Sequence, residues 1–173
     1  AEKLEIPASA SITCVKPSGT VSQLVDSASG IHACHNAQYI RTIRMDKKDP
    51  ITDFLISAGV QHEDCQMNPR STAIFSFPIR APKDAITRND KTAIEQLELW
   101  LVYQRHWCEH KPSVTISVRD KEWVEVGAWV WKHFDEISGV SFLPHSDHTY
   151  PQAPYQDATV EEVKALEKIT PTK

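Results

Sequence analysis

Hydrophobic and polar positions follow two different periods along this chain, and together they predict a succession of strands and helices. Residues 39–45 and 113–118 alternate between apolar and polar side chains, which is typical of strands with one buried face. Apolar residues at three- and four-residue spacing between 92 and 108 predict the longest helix. Further strands are predicted at residues 11–15, 72–77 and 140–143.

Capping residues indicate where the predicted helices begin and end. Asp49 and Pro50 suit the first turn of a helix that Gly59 can close. Two further helix starts carry a threonine followed three residues later by a glutamate, Thr92 with Glu95 and Thr159 with Glu162. Asp120 is expected to cap a helix whose apolar stripe comprises Trp123, Gly127, Val130, Trp131, Phe134 and Ile137.

The order of these elements predicts an α/β fold. Strands alternate with helices, which favours parallel strands joined by helical crossovers in a layer or a barrel segment. Prolines are expected to end two strands, at Pro78 and at Pro144. A chain of 173 residues suits one domain, here residues 1–173, in which 144–173 form a proline-marked arm with a short terminal helix.

The composition is that of an ordinary globular protein and argues against several kinds of partner. With 40% hydrophobic and 24% charged residues and a net charge of −4, the chain has no general attraction for nucleic acid or anionic membranes. It contains no apolar run of membrane-spanning length and no signal-peptide pattern at its start. We expect a cytoplasmic protein without membrane or direct nucleic-acid partners. The missing initiating methionine indicates a start inside a longer product.

Cysteine and histidine residues occur in two local groups, residues 32–35 and 106–110, which contain enough nitrogen and sulfur for zinc. Their spacing matches no common zinc module, so an ordinary loop and a basic helix end are favoured. A nucleophilic pair of Cys34 with His32 or His35 is disfavoured, because sequence neighbours rarely have the opposed geometry that proton transfer needs. The four cysteines are widely spaced, which favours free thiols over a disulfide framework.

A proline and a glycine interrupt the chain directly after the first predicted strand. Residues 17–22 lead from this strand into a helical turn, where free backbone N–H groups and hydroxyls suit an oxyanion. The segment is not a Walker loop, because it lacks the Gly-Lys-Ser/Thr ending. Two interpretations stay open: a junction whose hydroxyls cap the helix, or a phosphate site made of Pro17, Ser18, Gly19, Thr20, Val21 and Ser22.

Seven short motifs occur in order along nearly the full length of the chain. They lie at residues 15–22, 29–32, 39–41, 113–115, 120–129, 139–144 and 153–155. In this order and spacing they resemble the C-terminal part of the catalytic barrel of the monomeric type of adenosylcobalamin-dependent (class II) ribonucleoside-triphosphate reductases. The resemblance implies a ten-stranded α/β barrel, of which this chain would supply about half.

The resemblance also implies a role in converting ribonucleotides to deoxyribonucleotides by radical chemistry. It implies that residues 17–22 hold the phosphates of a ribonucleoside triphosphate substrate. Adenosylcobalamin would be the cofactor of the complete enzyme, without a histidine ligand from this chain. The implied partners are the N-terminal remainder of the barrel and a thioredoxin-type dithiol reductant.

The catalytic groups of that family do not match this chain. The family's finger-loop motif Asn-Pro-Cys-x-Glu is absent, because the only Asn-Pro pair, at Asn68, continues with Arg70. The reducing and shuttle cysteines of the family match none of the four cysteines here. We therefore assign no catalytic residue and expect the isolated chain to be inactive. The alternative is a stand-alone, non-catalytic module that binds phosphate or nucleotide.

Overall fold

The computed structural model describes residues 1–19, 21–145 and 150–171. In chain order its helices and strands are α1 (Val21–Leu24), β1 (Gln38–Asp46), α2 (Pro50–Ser57), β2 (His62–Asp64), β3 (Thr72–Arg80), α3 (Ala93–His106), β4 (Thr115–Val118), α4 (Trp123–Lys132), β5 (Ser141–Pro144), β6 (Tyr155–Asp157) and α5 (Val160–Ile169). The chain divides into two compact units, residues 1–34 with 86–146 and residues 35–85 with 147–173. The prediction of one reductase segment over the whole chain stays a prediction.

The first unit packs around α3. This helix begins at the predicted capping box, in which Thr92 Oγ1 accepts from the Glu95 amide and the Glu95 carboxylate accepts from the Thr92 amide. The buried core comprises Ala93, Leu97, Trp100, Leu101, Val114, Ile116, Val118, Val126 and Trp129. The buried indole N–H of Trp100 donates to the Pro112 carbonyl at 2.8 Å, so the core also fixes the chain that enters β4.

Strands β4 and β5 form a parallel pair. The pairing runs from Thr115 opposite Ser141 to Val118 opposite Pro144. Helix α4 lies between the two strands in sequence and forms the crossover that a parallel connection requires. The strands predicted at 113–118 and 140–143 and their parallel pairing are confirmed.

The apolar stripe predicted for α4 is buried only in part, with Val130 and Ile137 packed against the core. Val126 and Trp129 are buried, whereas Trp131 and Phe134 are 81% and 67% exposed. The sequence has apolar residues on both faces of this helix, so their spacing alone does not show which face is buried. A 3-10 turn, Asp120–Glu122, precedes α4, and the predicted capping residue therefore lies inside this turn.

The second unit contains a four-stranded antiparallel sheet in the order β2-β3-β1-β6. Strand β1 pairs with β3 from Gln38 opposite Arg80 to Asp46 opposite Thr72. Because β1 and β2 both run antiparallel to β3, they run in the same direction as each other. The sequence predicted that the strands at 39–45 and 72–77, which have a helix between them, run parallel; this prediction is wrong, because β1 and β3 pair antiparallel.

Strand β3 continues through Pro78, which the sequence predicted to end it. Pro78 lies opposite Ile40 of β1. The short strand β2 pairs only with residues 73–75 of β3, so Pro78 lies where the described part of the sheet gives β3 a single neighbour. A missing amide hydrogen is tolerated on such an open side of a strand.

Two helices accompany this sheet. Asp49 Oδ1 accepts from the Ile51 amide at 2.9 Å, which confirms the predicted cap of α2. The predicted capping box at Thr159 and Glu162 begins α5, whose Val163 and Leu166 are buried. The predicted arm thus contains α5 and the unpredicted strand β6, while its residues 146–149 and 172–173 lie outside the described ranges. Within those ranges, no helix is both long enough and apolar enough to cross a membrane.

Glu136 forms an acid-sensitive contact in the first unit. Arg105 Nε and Nη2 donate to its two carboxylate oxygens, both at 2.6 Å, and His133 Nδ1 lies 3.1 Å from Oε1. These contacts, above all the hydrogen bonds from Arg105, lower the pKa of Glu136 from 4.5 to about 2. A carboxylate with a lowered pKa stabilises the fold above its unfolded pKa and loses this contribution as it is protonated.

We expect the first unit to lose stability as the pH falls from 4.5 to about 2. Glu136→Gln should lower the melting temperature near neutral pH and flatten the dependence on pH in this acidic window. Glu125→Gln, at an exposed position of α4, is the matched control. Thermal melts followed by circular dichroism test this, and equal acidic slopes for the wild type and Glu136→Gln would contradict it.

Candidate functional site

The loop of residues 17–22 belongs to the first unit. The segment that leads into it, residues 11–15, differs from the prediction. Residues 11–15 are not a strand, because single hydrogen bonds rather than a ladder hold them. The Val15 carbonyl accepts from the Ser113 amide at 2.9 Å. Ile12 and Cys14 are exposed, so no buried apolar face stabilises a strand here. The loop is thus anchored on the chain that leads into β4.

Within the loop, Ser18 makes the contact of a helix cap. The Ser22 amide donates to Ser18 Oγ at 3.1 Å. Helix α1, which follows, has four residues, so its dipole is weaker than the sequence pattern implied. Gly19 is exposed and does not adopt a left-handed conformation. Thr20 lies outside the described residues.

The Ser22 hydroxyl is the unusual polar group of this loop. Ser22 is 8% exposed, and its Oγ is buried without a hydrogen-bond partner among the described residues. A buried hydroxyl without a partner costs about 1–3 kcal/mol, which a bound acceptor would offset. Ser18 Oγ accepts from the Ser22 amide and keeps its own hydrogen for an acceptor. The loop therefore offers two hydroxyl donors.

A second turn, which contains Ser29 and Gly30, contacts the loop and the residues before it. Ser29 Oγ donates to the Ser18 carbonyl at 2.8 Å. Gly30 has a left-handed φ of 61°, and a Cβ atom there would lie 3.4 Å from both the Lys16 carbonyl oxygen and Val15 Cγ1. Glycine suits this position because a residue with a side chain would be strained at this φ.

His32 connects the second turn to β4. Its Nδ1 lies 2.7 Å from the Ser29 carbonyl oxygen, which can only accept, so Nδ1 carries the ring hydrogen. Its Nε2 accepts from the Thr115 amide at 3.0 Å. His32 belongs to the motif of residues 29–32, but nothing local in the sequence indicates its contact with β4.

The residues considered for zinc do not form a metal site in the described part of the chain. There, no group of three or more histidine, cysteine, aspartate or glutamate side chains could hold a metal ion. His35 Nε2 lies 3.1 Å from Asp157 Oδ1, and its ring stacks on Tyr155. Cys34 forms a backbone bridge with Thr87. These contacts are those of a structural loop.

The four cysteines are free thiols, as predicted, and lie in different surroundings. Burial raises the pKa of the Cys34 and Cys108 thiols. Backbone N–H donation, above all from Asn68, lowers the pKa of the buried Cys65 thiol. Cys14 is exposed. No local sequence pattern indicates this difference, since it depends on burial and on backbone groups that only the folded chain brings together.

Comparisons with known proteins identify relatives of this chain. No protein-family model matches. The adenosylcobalamin-dependent ribonucleoside-triphosphate reductase of Euglena gracilis is 34% identical over 171 residues, covering 97% of this chain and 24% of that protein. The probable reductase of the same type from Dictyostelium discoideum is 34% identical over 163 residues, covering 90% and 21%. The Lactobacillus leichmannii reductase is 30% identical over 147 residues, covering 82% and 20%.

A solved structure supports the same relationship. The crystal structure of a B12-dependent (class II) ribonucleotide reductase matches 91% of this chain and 23% of its own, with a TM-score of 0.76 and 26% identity. The chain is homologous to one segment of these reductases. It spans about a quarter of the length of the first curated relative, 24%. The resemblance read from the sequence motifs and the mixed α/β class are confirmed.

Gly30 gives a direct test of the geometry behind the loop. Gly30→Ala should destabilise the first unit by about 1–2 kcal/mol, because an L-residue is strained at this φ. Gly19→Ala is the matched control, since no atom lies within 4 Å of its Cβ position, and it should change stability by less than about 0.5 kcal/mol. Urea denaturation measures both, and equal losses would contradict the assigned conformation.

Proposed function

We propose that this chain is one piece of an adenosylcobalamin-dependent ribonucleotide reductase and supplies the loop that binds the substrate phosphates. The observation that carries the proposal is the buried Ser22 hydroxyl without a partner among the described residues. It lies in the motif of residues 15–22 through which the sequence resembles the reductases. Homology to one segment of these enzymes supports the same role.

The proposed substrate is a ribonucleoside triphosphate, the class named for the relatives. Its phosphate oxygens accept hydrogen bonds, and the hydroxyls of Ser18 and Ser22 are donors with no other acceptor among the described residues. Lys16, directly before the loop, adds a positive charge. Residues 17–22 would therefore bind and orient the nucleotide. Reduction at the ribose would depend on groups outside this chain.

The described residues do not fit adenosylcobalamin. A groove of about 530 Å³ in the second unit is lined in part by the carboxylates of Glu63 and Glu162, and the Nδ1 of its only histidine, His62, lies 3.0 Å from the Val60 carbonyl. We derive no step through the cofactor from this chain. We propose that the remainder of the enzyme binds it and reacts with a thioredoxin-type dithiol.

The first unit also supports the proposal that other strands complete this fold. Strands β4 and β5 form a sheet of two parallel strands, and the described part of the chain adds no strand to either outer edge. Parallel sheets normally occur with more strands and with both faces covered. A ten-stranded α/β barrel, completed by an N-terminal remainder, would pair these edges.

The purified chain alone should not reduce ribonucleotides in the presence of adenosylcobalamin and a dithiol. The reason is that it lacks the finger-loop cysteine motif of the family. Deoxyribonucleotide formation, followed by chromatography with a full-length relative as positive control, measures this. Activity regained on mixing with an N-terminal remainder would support the proposal, whereas turnover by the chain alone would overturn it.

Ser22→Ala should weaken ribonucleoside triphosphate binding by the reconstituted enzyme about tenfold or more, because a hydrogen bond to a charged group contributes about 1.5–3 kcal/mol. Ser27→Ala is the control, since the exposed Ser27 hydroxyl donates to the neighbouring Ala28 carbonyl. Isothermal calorimetry measures both. Unchanged affinity in Ser22→Ala would contradict the assigned role, and full affinity in the isolated wild-type chain would favour a stand-alone binding module.

A further inference from the structure

We infer that His32 is a positioning residue, which holds the phosphate-binding loop in place by joining it to β4. The consequence for nucleotide binding rests on the proposed function of the loop. The connection itself is a property of this chain alone and can be tested without a ligand.

Three hydrogen bonds form this connection in series. The Thr115 amide donates to His32 Nε2 at 3.0 Å, and His32 Nδ1 donates to the Ser29 carbonyl at 2.7 Å. Ser29 Oγ then donates to the Ser18 carbonyl at 2.8 Å. Only a ring with its hydrogen on Nδ1 satisfies both neighbours, so the two contacts select one tautomer.

The loop has few other fixed points among the described contacts. The bond from the Ser113 amide to the Val15 carbonyl holds its base, and the bond between Ser18 and Ser22 lies within the loop itself. Helix α1, which follows the loop, is a single turn. The series through His32 therefore joins the Ser18 backbone to a regular strand, which is the more rigid element.

The same contacts argue against a direct chemical role for His32. Both ring nitrogens are bonded to backbone groups, one as donor and one as acceptor. Neither nitrogen is left to bind a metal ion or to take a proton from a substrate while these bonds last. The side chain thus acts on the loop through Ser29.

Four variants separate the bonds of the series. His32→Asn places an amide nitrogen near the position of Nδ1 but is too short to reach Thr115. His32→Gln can place its amide oxygen near the position of Nε2 and loses the donor to Ser29. His32→Leu removes both bonds, and Ser29→Ala removes only the hydroxyl donor to Ser18. His106→Leu, at an exposed position at the end of α3, is the matched control.

The test is residue-resolved hydrogen exchange of the purified 173-residue chain. One net hydrogen bond corresponds to about a twofold to tenfold change in local opening. We expect the loop amides from Ser18 to Leu24 to exchange faster by this factor in His32→Leu and Ser29→Ala, with no change in His106→Leu. Thr115 should lose protection in His32→Leu and His32→Asn and keep it in His32→Gln.

Two results would overturn the inference. In the first, Thr115 loses protection in His32→Leu while the loop amides keep their rates. In the second, the amides of buried Leu97 and Trp100 accelerate as much as the loop, which is the result of a purely structural role. The double variant Ser29→Ala/His32→Leu should exchange no faster than His32→Leu, because the bonds act in series; additive acceleration would contradict this.

Nucleotide titration of the reconstituted enzyme separates this inference from the proposed function. If the wild type binds no ribonucleoside triphosphate, the proposed function fails, and the exchange rates still decide whether His32 holds the loop. If the wild type binds and His32→Leu binds equally well with a loosened loop, the positioning role fails while the proposed function stands. We expect weaker binding in His32→Leu and partial recovery in His32→Gln.

Discussion

The contact between the Trp100 indole and the Pro112 carbonyl links the core of the first unit to its candidate site. Both residues are fully buried, and a buried carbonyl needs such a donor. The contact fixes the chain just before β4. This same stretch donates the Ser113 amide to the base of the loop and the Thr115 amide to His32. The geometry of an exposed loop therefore depends on how well the core is packed.

Most regular elements could be predicted because their signals are local. Capping boxes at Thr92 and Thr159 and the Asp49 cap need no distant partner, so the starts of three helices were found. Strands β2 and β6, each of three residues, depend on the strands beside them and left no local pattern. Residues 11–15 show the opposite error, because β-forming side chains without burial did not produce a strand.

The sequence predicted which segment forms the candidate site, but not the contacts that hold this segment in place. Proline, glycine and hydroxyl residues marked residues 17–22 as a turn able to hold an oxyanion. The bond from Thr115 to His32 joins residues that are 83 positions apart in sequence. Such a contact forms only once β4 is packed in the core. This is why the sequence did not indicate the contact of His32 with β4.

Exposed apolar side chains bear on whether this chain acts alone. In the first unit, Leu24, Val124 and Trp131 are each more than four-fifths exposed, at 83%, 87% and 81%. Single exposed apolar residues are normal, but they occur here in a unit whose parallel sheet has only two strands, and such a sheet is rarely stable without cover. A chain of about a quarter of its relatives' length, 24%, would expose such surfaces if more of the protein packed on them.

The bonds from Ser18 through Ser29 and His32 to Thr115 all lie within this chain. The loop can therefore take its shape from contacts within this chain. Under the proposed function, the rest of the enzyme would contribute enclosure and reactive groups rather than the positioning of the phosphates.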